Sequence, residues 1–225
     1  MKKILSLVLV VAMVLGCIGI IACGGGGGEG EAPPSEEEEE APPSEEEEEP
    51  PSGEDLSEIL GRGAGIASVK YDMVVTAPGM ETMTTKMWME GNKIRTEMTQ
   101  QGETIVMLID YDEGVMYMYM PAENFAYEMP LGQAPESAVE QAQDIADYSY
   151  HIVGTQTVDN KVCLVVEYSI EQASVKMWIW KEHGFPIRIE STAPAGTTIT
   201  EFKNIDFADI DDSMFELPAG VQIMG

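Results

Sequence analysis

The chain has 225 residues, 16 of them methionine, and a formal net charge of −28 from 40 Asp and Glu against 12 Lys and Arg. So acidic a chain repels nucleic acid and anionic lipid headgroups, and neither is an expected partner. Much of the charge is local: residues 29–58 carry 15 acids and no base, leaving 25 acids against 10 bases in residues 59–225.

Lys2 and Lys3 precede an apolar run from Ile4 to Leu15 in which Ser6 is the one polar residue, and small residues surround Cys17 and Cys23. That order is the order of an export signal. The competing reading, a transmembrane helix, is disfavoured by the glycines after Leu15 and by the acidic chain after Cys23. "VLGC" (14–17) and "IIAC" (20–23) each resemble the lipobox of bacterial lipoproteins, an aliphatic, a variable and a small residue before cysteine. The resemblance implies cleavage before the cysteine and its acylation. Cys23 is expected rather than Cys17, because the polar chain starts directly after it. Residues 1–22 are thus read as a lipoprotein signal peptide. The mature protein is expected outside the cytoplasm and lipid-anchored to the cell membrane, since several acyl chains anchor stably where one does not.

Residues 23–53 repeat "APPSEEEEE" and hold almost no apolar residue. Proline and like charge predict an extended, disordered acidic tether. The remaining stretch, 54–225, has the length of one ordinary core. It opens with an amphipathic helix in "EDLSEILGRGAGIAS", with Leu56, Ile59, Leu60 and Ala64 on one side. Period-2 alternation then predicts strands. "SVKYDMVVT" comes first, followed by "TMTTKMWME" and "KIRTEMT" flanking the hairpin signal Gly91-Asn92. Met83, Met87, Met89, Ile94 and Met98 share one phase there, against Lys86, Glu90, Lys93, Arg95 and Glu97, which makes one greasy face and one wet face. "ETIVMLIDY" and "VMYMYMP" follow, and "NFAYEMP" is read as a short edge piece.

In "APESAVEQAQDIADY" the period becomes helical, with Ala138, Val139, Ala142, Ile145 and Ala146 as the stripe and Ser137 with Glu140 as a capping box. Five further strands are expected from "YSYHIVGTQTV" to "TTITEFKNIDF". The fold class is therefore α+β, mainly antiparallel: about ten strands in hairpin succession, curling so that two helices cover the concave greasy face.

"VKMWIWKEHGFPIRIE" and "FKNIDFADIDDSMFELPAGVQI" resemble the LolA/LolB type of lipoprotein-sorting proteins, whose relatives include RseB and the mycobacterial LppX and LprG. Trp178, Gly184, Pro186, Arg188, Phe215 and Pro218 occupy the places of that pattern, over roughly residues 56–222. The resemblance implies an unclosed half-barrel whose apolar cavity holds acyl chains, possessed here by a chain with its own lipid anchor.

An enzyme is not expected. His151 and His183 are far apart, His183 is read as a solvated turn residue, and no nucleophile elbow or phosphate loop appears. Cys163, inside the apolar "KVCLVVEY", is read as an inert buried thiol. No cofactor is expected. Methionine admits three readings: Cu(I) ligands, adaptable cavity lining, and plain core. The cavity residues are expected to be Met73, Met87, Met89, Met98, Met116, Met118 and Met120, with a lipid or acyl chain as partner. The first alternative is RseB-like sensing or interaction with another envelope protein, through an aromatic patch of Trp88, Tyr117, Tyr119, Trp178 and Trp180. A methionine-rich Cu(I)-binding protein is the second.

Overall fold

The computed structural model describes residues 55–131 and 137–224. The signal segment, Cys17, Cys23 and the acidic tether lie outside them. Among the described residues twelve strands form one open sheet. The first meander comprises β1 (Ser68–Thr76), β2 (Met83–Glu90), β3 (Lys93–Gln100), β4 (Glu103–Asp110), β5 (Val115–Met120) and β6 (Phe125–Pro130). The second comprises β7 (Tyr150–Val158), β8 (Lys161–Ile170), β9 (Ala173–Trp180), β10 (Phe185–Ala193) and β11 (Gly196–Asp206). β1 pairs antiparallel with β11 and joins the two. A twelfth strand, β12 (Gln222–Met224), pairs in parallel with β6 and forms one sheet edge, while β7 forms the other. The half-barrel is thus the expected one, with twelve strands in place of about ten and "NFAYEMP" one strand in from the edge.

Two short helices pack on one face. Helix α1 (Leu56–Ala64) is capped by the Asp55 carboxylate, which accepts from the Ser57 N–H. Its buried residues are Leu56, Ile59, Leu60 and Gly63; Ala64, expected on that side, is exposed. The helix turns its glycine inward because it docks against another one. A Cβ on Gly63 would overlap the Gly184 carbonyl, and a Cβ on Gly184 would overlap the Ile59 carbonyl. Gly184 sits in the β9–β10 turn at φ +65, the left-handed region that favours glycine.

Helix α2 (Ala138–Gln143) carries the full Ser137–Glu140 capping box. It runs into a 3-10 turn, Asp144–Asp147. Ala138, Val139, Ala142 and Ile145 are buried as expected. Ala146 is exposed, because the tighter 3-10 turn rotates it off the α-helical stripe. Both helices share a core with Val69, Tyr71, Ile94, Ile109, Met116, Val166, Met177, Ile179, Phe185 and Phe202.

On the opposite face, the β1–β6 part is covered by the segment after β11. After β11, the Ser68 hydroxyl donates to the Ala208 carbonyl (2.9 Å) and the Ile210 N–H to the Glu90 carboxylate (2.8 Å). The Arg95 guanidinium then donates to the Met214 carbonyl (3.0 Å). Leu217 and Val221 lie on Val106, Leu108, Tyr119 and Ala126. Asn124 ties the end down, donating to the Gly220 carbonyl (3.1 Å) and accepting from the Gln222 N–H (3.2 Å).

The convex aromatics pack separately, among cationic stems or under this C-terminal strap, and not as one open patch. Tyr119 is buried beneath the strap. Trp88 lies under Arg95, and Trp178 is buried under Lys176 and Arg188 while its indole donates to Gln156 (2.6 Å). Aromatic rings on this face serve as platforms for cationic stems. His183 is corrected. It is in the expected turn, but its ring stacks on Phe207 (4.4 Å) and meets Trp180 edge-on (4.2 Å).

Candidate ligand-binding face

Strand register aligns the concave face of β1–β6 in ranks. The first rank is Val69, Met89, Ile94, Ile109, Met116 and Met129. The second is Tyr71, Met87, Thr96, Met107, Met118 and Tyr127. The third starts with Met73, Thr85, Met98 and Ile105, and Met120 faces Phe125 at its far end.

Cover thins from rank to rank. Most of the first is closed, with Met116 only 2% exposed. In the second, Tyr71 and Met87 are buried, Met107 and Met118 are partly exposed, and Tyr127 reaches 42%. The members of the third are all partly exposed. All seven methionines read from the sequence as cavity-lining share this face. Met87 and Met116 lie in its closed part; Met73, Met89, Met98, Met118 and Met120 lie where it is partly open. Met83, Met107, Met129, Phe125 and Tyr127 belong to the same face and are not among the seven. Met107 is hidden by its surroundings: in "ETIVMLIDY" the strap buries Val106 and Leu108 on the other side, so the apolar run does not alternate.

The two halves of the sheet use different apolar residues. On the concave side of β8–β10 the core is Leu164, Val166, Val175, Ile179 and Ile189, all buried. Across residues 150–206 Met177 is the single methionine. On β1–β6, eight methionines (73, 83, 89, 98, 107, 118, 120 and 129) are partly exposed. Buried branched side chains dominate the core of β8–β10 and partly exposed thioethers line β1–β6, while towards the β7 edge the face opens again at Tyr150 and Ile152.

The edge of the cover is set by Tyr71. Its hydroxyl is hydrogen-bonded by the Ala138 backbone at the start of α2, and burial drives its pKa far above the ordinary phenol value, so the ring is neutral. It packs edge-on against Phe185 (5.2 Å) and Phe202 (5.6 Å). Tyr148, just after the 3-10 turn, stacks on Tyr168 (5.4 Å).

The chemistry available on this face is that of contact. Thioethers, aromatic rings and the Thr85 and Thr96 hydroxyls line it. Among the described residues there is no group of three or more His, Cys, Asp or Glu side chains placed to hold a metal ion. Cys163 lies on the other side of the sheet with Val165, Trp178 and Ile187, as a fully buried thiol pushed up to about 11 by desolvation. His151 is exposed and pairs with Glu167 (3.1 Å).

Comparison with solved structures returns this same architecture. An uncharacterized conserved protein from Thermus thermophilus superposes with a TM-score of 0.56 at 13% identity, over 75% of this chain and 97% of that one. The MucA/MucB complex of Pseudomonas aeruginosa gives 0.50 at 15% identity, over 76% of this chain and 64% of the matched chain. LprF from Mycobacterium bovis gives 0.49 at 11% identity, over 74% and 95%. At such identities the shared property is the fold. No curated protein matches the sequence. A family model described as a domain of unknown function (DUF4412) matches residues 70–183, just over half of the chain, and the chain belongs to that family.

Proposed function

We propose that the domain binds a hydrophobic ligand, an acyl chain or a lipid, against the partly open methionine face of β1–β6. The observation that carries this reading is the division of labour between the two halves of the sheet. If methionine were ordinary core filling, it would have no reason to concentrate where the cover thins. A surface that must fit more than one apolar shape favours an unbranched, polarizable side chain. Binding rather than catalysis suits a face lined by thioethers and rings. The reading places the protein outside the cytoplasm, anchored through Cys23, with the acidic segment as tether. Cys23→Ser, with Cys17 retained, is then expected to move the protein from the membrane fraction to the soluble fraction; release by Cys17→Ser instead would relocate the anchor.

The binding reading is tested on Met118. Met118→Leu conserves volume and is expected to cost under about 1.5 kcal/mol of stability and to leave uptake of a fluorescent acyl-chain probe intact. Met118→Asp sets a charge on the face and is expected to abolish uptake while the fold survives. A protein that loses Cu(I) binding with Met118→Leu and never takes up probe would be a copper protein instead.

A second reading, an envelope interaction module, draws on MucB, which has been solved in complex with MucA. Edge strand β7 favours it, with Tyr150, Ile152 and Val153 exposed and no Lys or Pro among its nine residues to blunt pairing.

A further inference from the structure

We infer that the outer methionines of the concave face are a site of reversible oxidation, at which a peroxide or hypohalous acid turns thioether into sulfoxide and the face releases its ligand. The inference rests on the hydrophobic-binding reading and names its regulation.

Three observations converge on it. Met73, Met98, Met118 and Met120, four of the eight partly exposed methionines of the face, are open to a small oxidant, whereas Met116 and Met177, at 2% and 1% exposure, are shielded. Cys163, which would otherwise compete for oxidant, is fully buried in a separate cluster across the sheet. In the β8–β10 part of the face the buried Leu164, Val166, Val175, Ile179 and Ile189 do not react and Met177 among them is shielded, so the accessible thioethers sit where ligand contact is expected.

The step balances simply. The thioether sulfur attacks the terminal oxygen of hydrogen peroxide; an S–O bond forms, the O–O bond breaks, and water leaves. With hypochlorous acid, chloride and a proton leave instead. Sulfur gives up two electrons in either case. The product is polar and chiral, and methionine sulfoxide reductases return it to the thioether. Four new S–O dipoles across one shelf desolvate poorly against an acyl chain, so affinity drops.

The test uses the full chain, titrated with hydrogen peroxide. Peptide mass mapping follows each sulfoxide, and binding of a fluorescent acyl-chain probe is measured alongside. Expected are sulfoxides at residues 73, 98, 118 and 120 before 116 and 177, a loss of probe affinity of tenfold or more, and recovery on adding methionine sulfoxide reductases A and B with reductant. A variant with leucine at all eight partly exposed positions of the face (73, 83, 89, 98, 107, 118, 120 and 129) is scored against its own untreated affinity for probe, and peroxide should not lower that affinity. Met224, 45% exposed at the sheet edge, still oxidises in that variant and serves as control. Three results would overturn the inference: probe binding that survives oxidation of the four, oxidation of Met116 and Met177 at the same rate as the outer four, or a leucine variant that binds probe but loses it after peroxide. If untreated protein binds no probe, the hydrophobic-binding reading itself fails and takes the inference with it, an outcome visible before any oxidant is added.

Discussion

Gly184→Ala is expected to destabilise the protein by about 2–5 kcal/mol, combining a left-handed backbone cost of about 1–2 kcal/mol with overpacking of about 1–3 kcal/mol. Its φ is +65, and a Cβ there would overlap the Ile59 carbonyl and lie 2.5 Å from the Gly63 nitrogen. Both obstacles are helix backbone, which cannot rotate aside as a side chain would. Helix α1 must therefore lift from the β9–β10 turn. Lifting exposes Leu56, Ile59 and Leu60, none more than 8% accessible in the native fold and each worth roughly 1.5–3 kcal/mol when fully buried.

Gly63→Ala tests the same contact from the other side. Helix propensity alone would make it stabilising by about 1 kcal/mol. The overlap with the Gly184 carbonyl opposes that gain and is expected to win, giving net destabilisation. Gly61→Ala is the control: exposed on the same helix with nothing within 4 Å of its Cβ, it should gain up to about 1 kcal/mol. Denaturant unfolding of the three variants decides it. If Gly63→Ala and Gly61→Ala shift the midpoint alike, the glycine–glycine contact does not hold α1 in place.

That contact is of a kind no local sequence pattern encodes. Alternation and turn signals located about ten strands, and the capping box located α2, because each is a local signal written over a few neighbouring residues. Gly63 and Gly184 are separated by 121 positions, and in isolation each looks like a helix breaker and a turn former. Their meaning is a distance of closest approach between two backbones, which no local pattern carries. The methionine face lies between these cases. Met116, Met118 and Met120 were legible because Tyr117 and Tyr119 alternate with them. Met107 was not, since Val106 and Leu108 are also apolar, and the reason they are apolar lies in Leu217 and Val221, far along the chain in the C-terminal strap.

Ending the chain at Ile210 is expected to cost about 4 kcal/mol, because it strips the strap from the back of β3–β6. Val106 and Leu108, at 1% and 2% exposure, would face water, each losing roughly 1.5–3 kcal/mol of burial. Tyr119 and Ala126 would be bared beside them. Arg95 would lose the Met214 carbonyl while keeping its ion pair with Glu97, so the point variant Arg95→Ala should be milder than truncation. The shortened chain would also present β6 as a new sheet edge next to an apolar patch, which favours edge-to-edge association. Lower unfolding midpoints together with larger species on size exclusion are therefore the expected pair of results. Because the strap and the methionine face lie on opposite sides of the sheet, the fraction of truncated protein that stays folded should still bind the acyl-chain probe. Truncation that abolishes probe binding at an unchanged unfolding midpoint would place the strap in the binding site and contradict the arrangement described above.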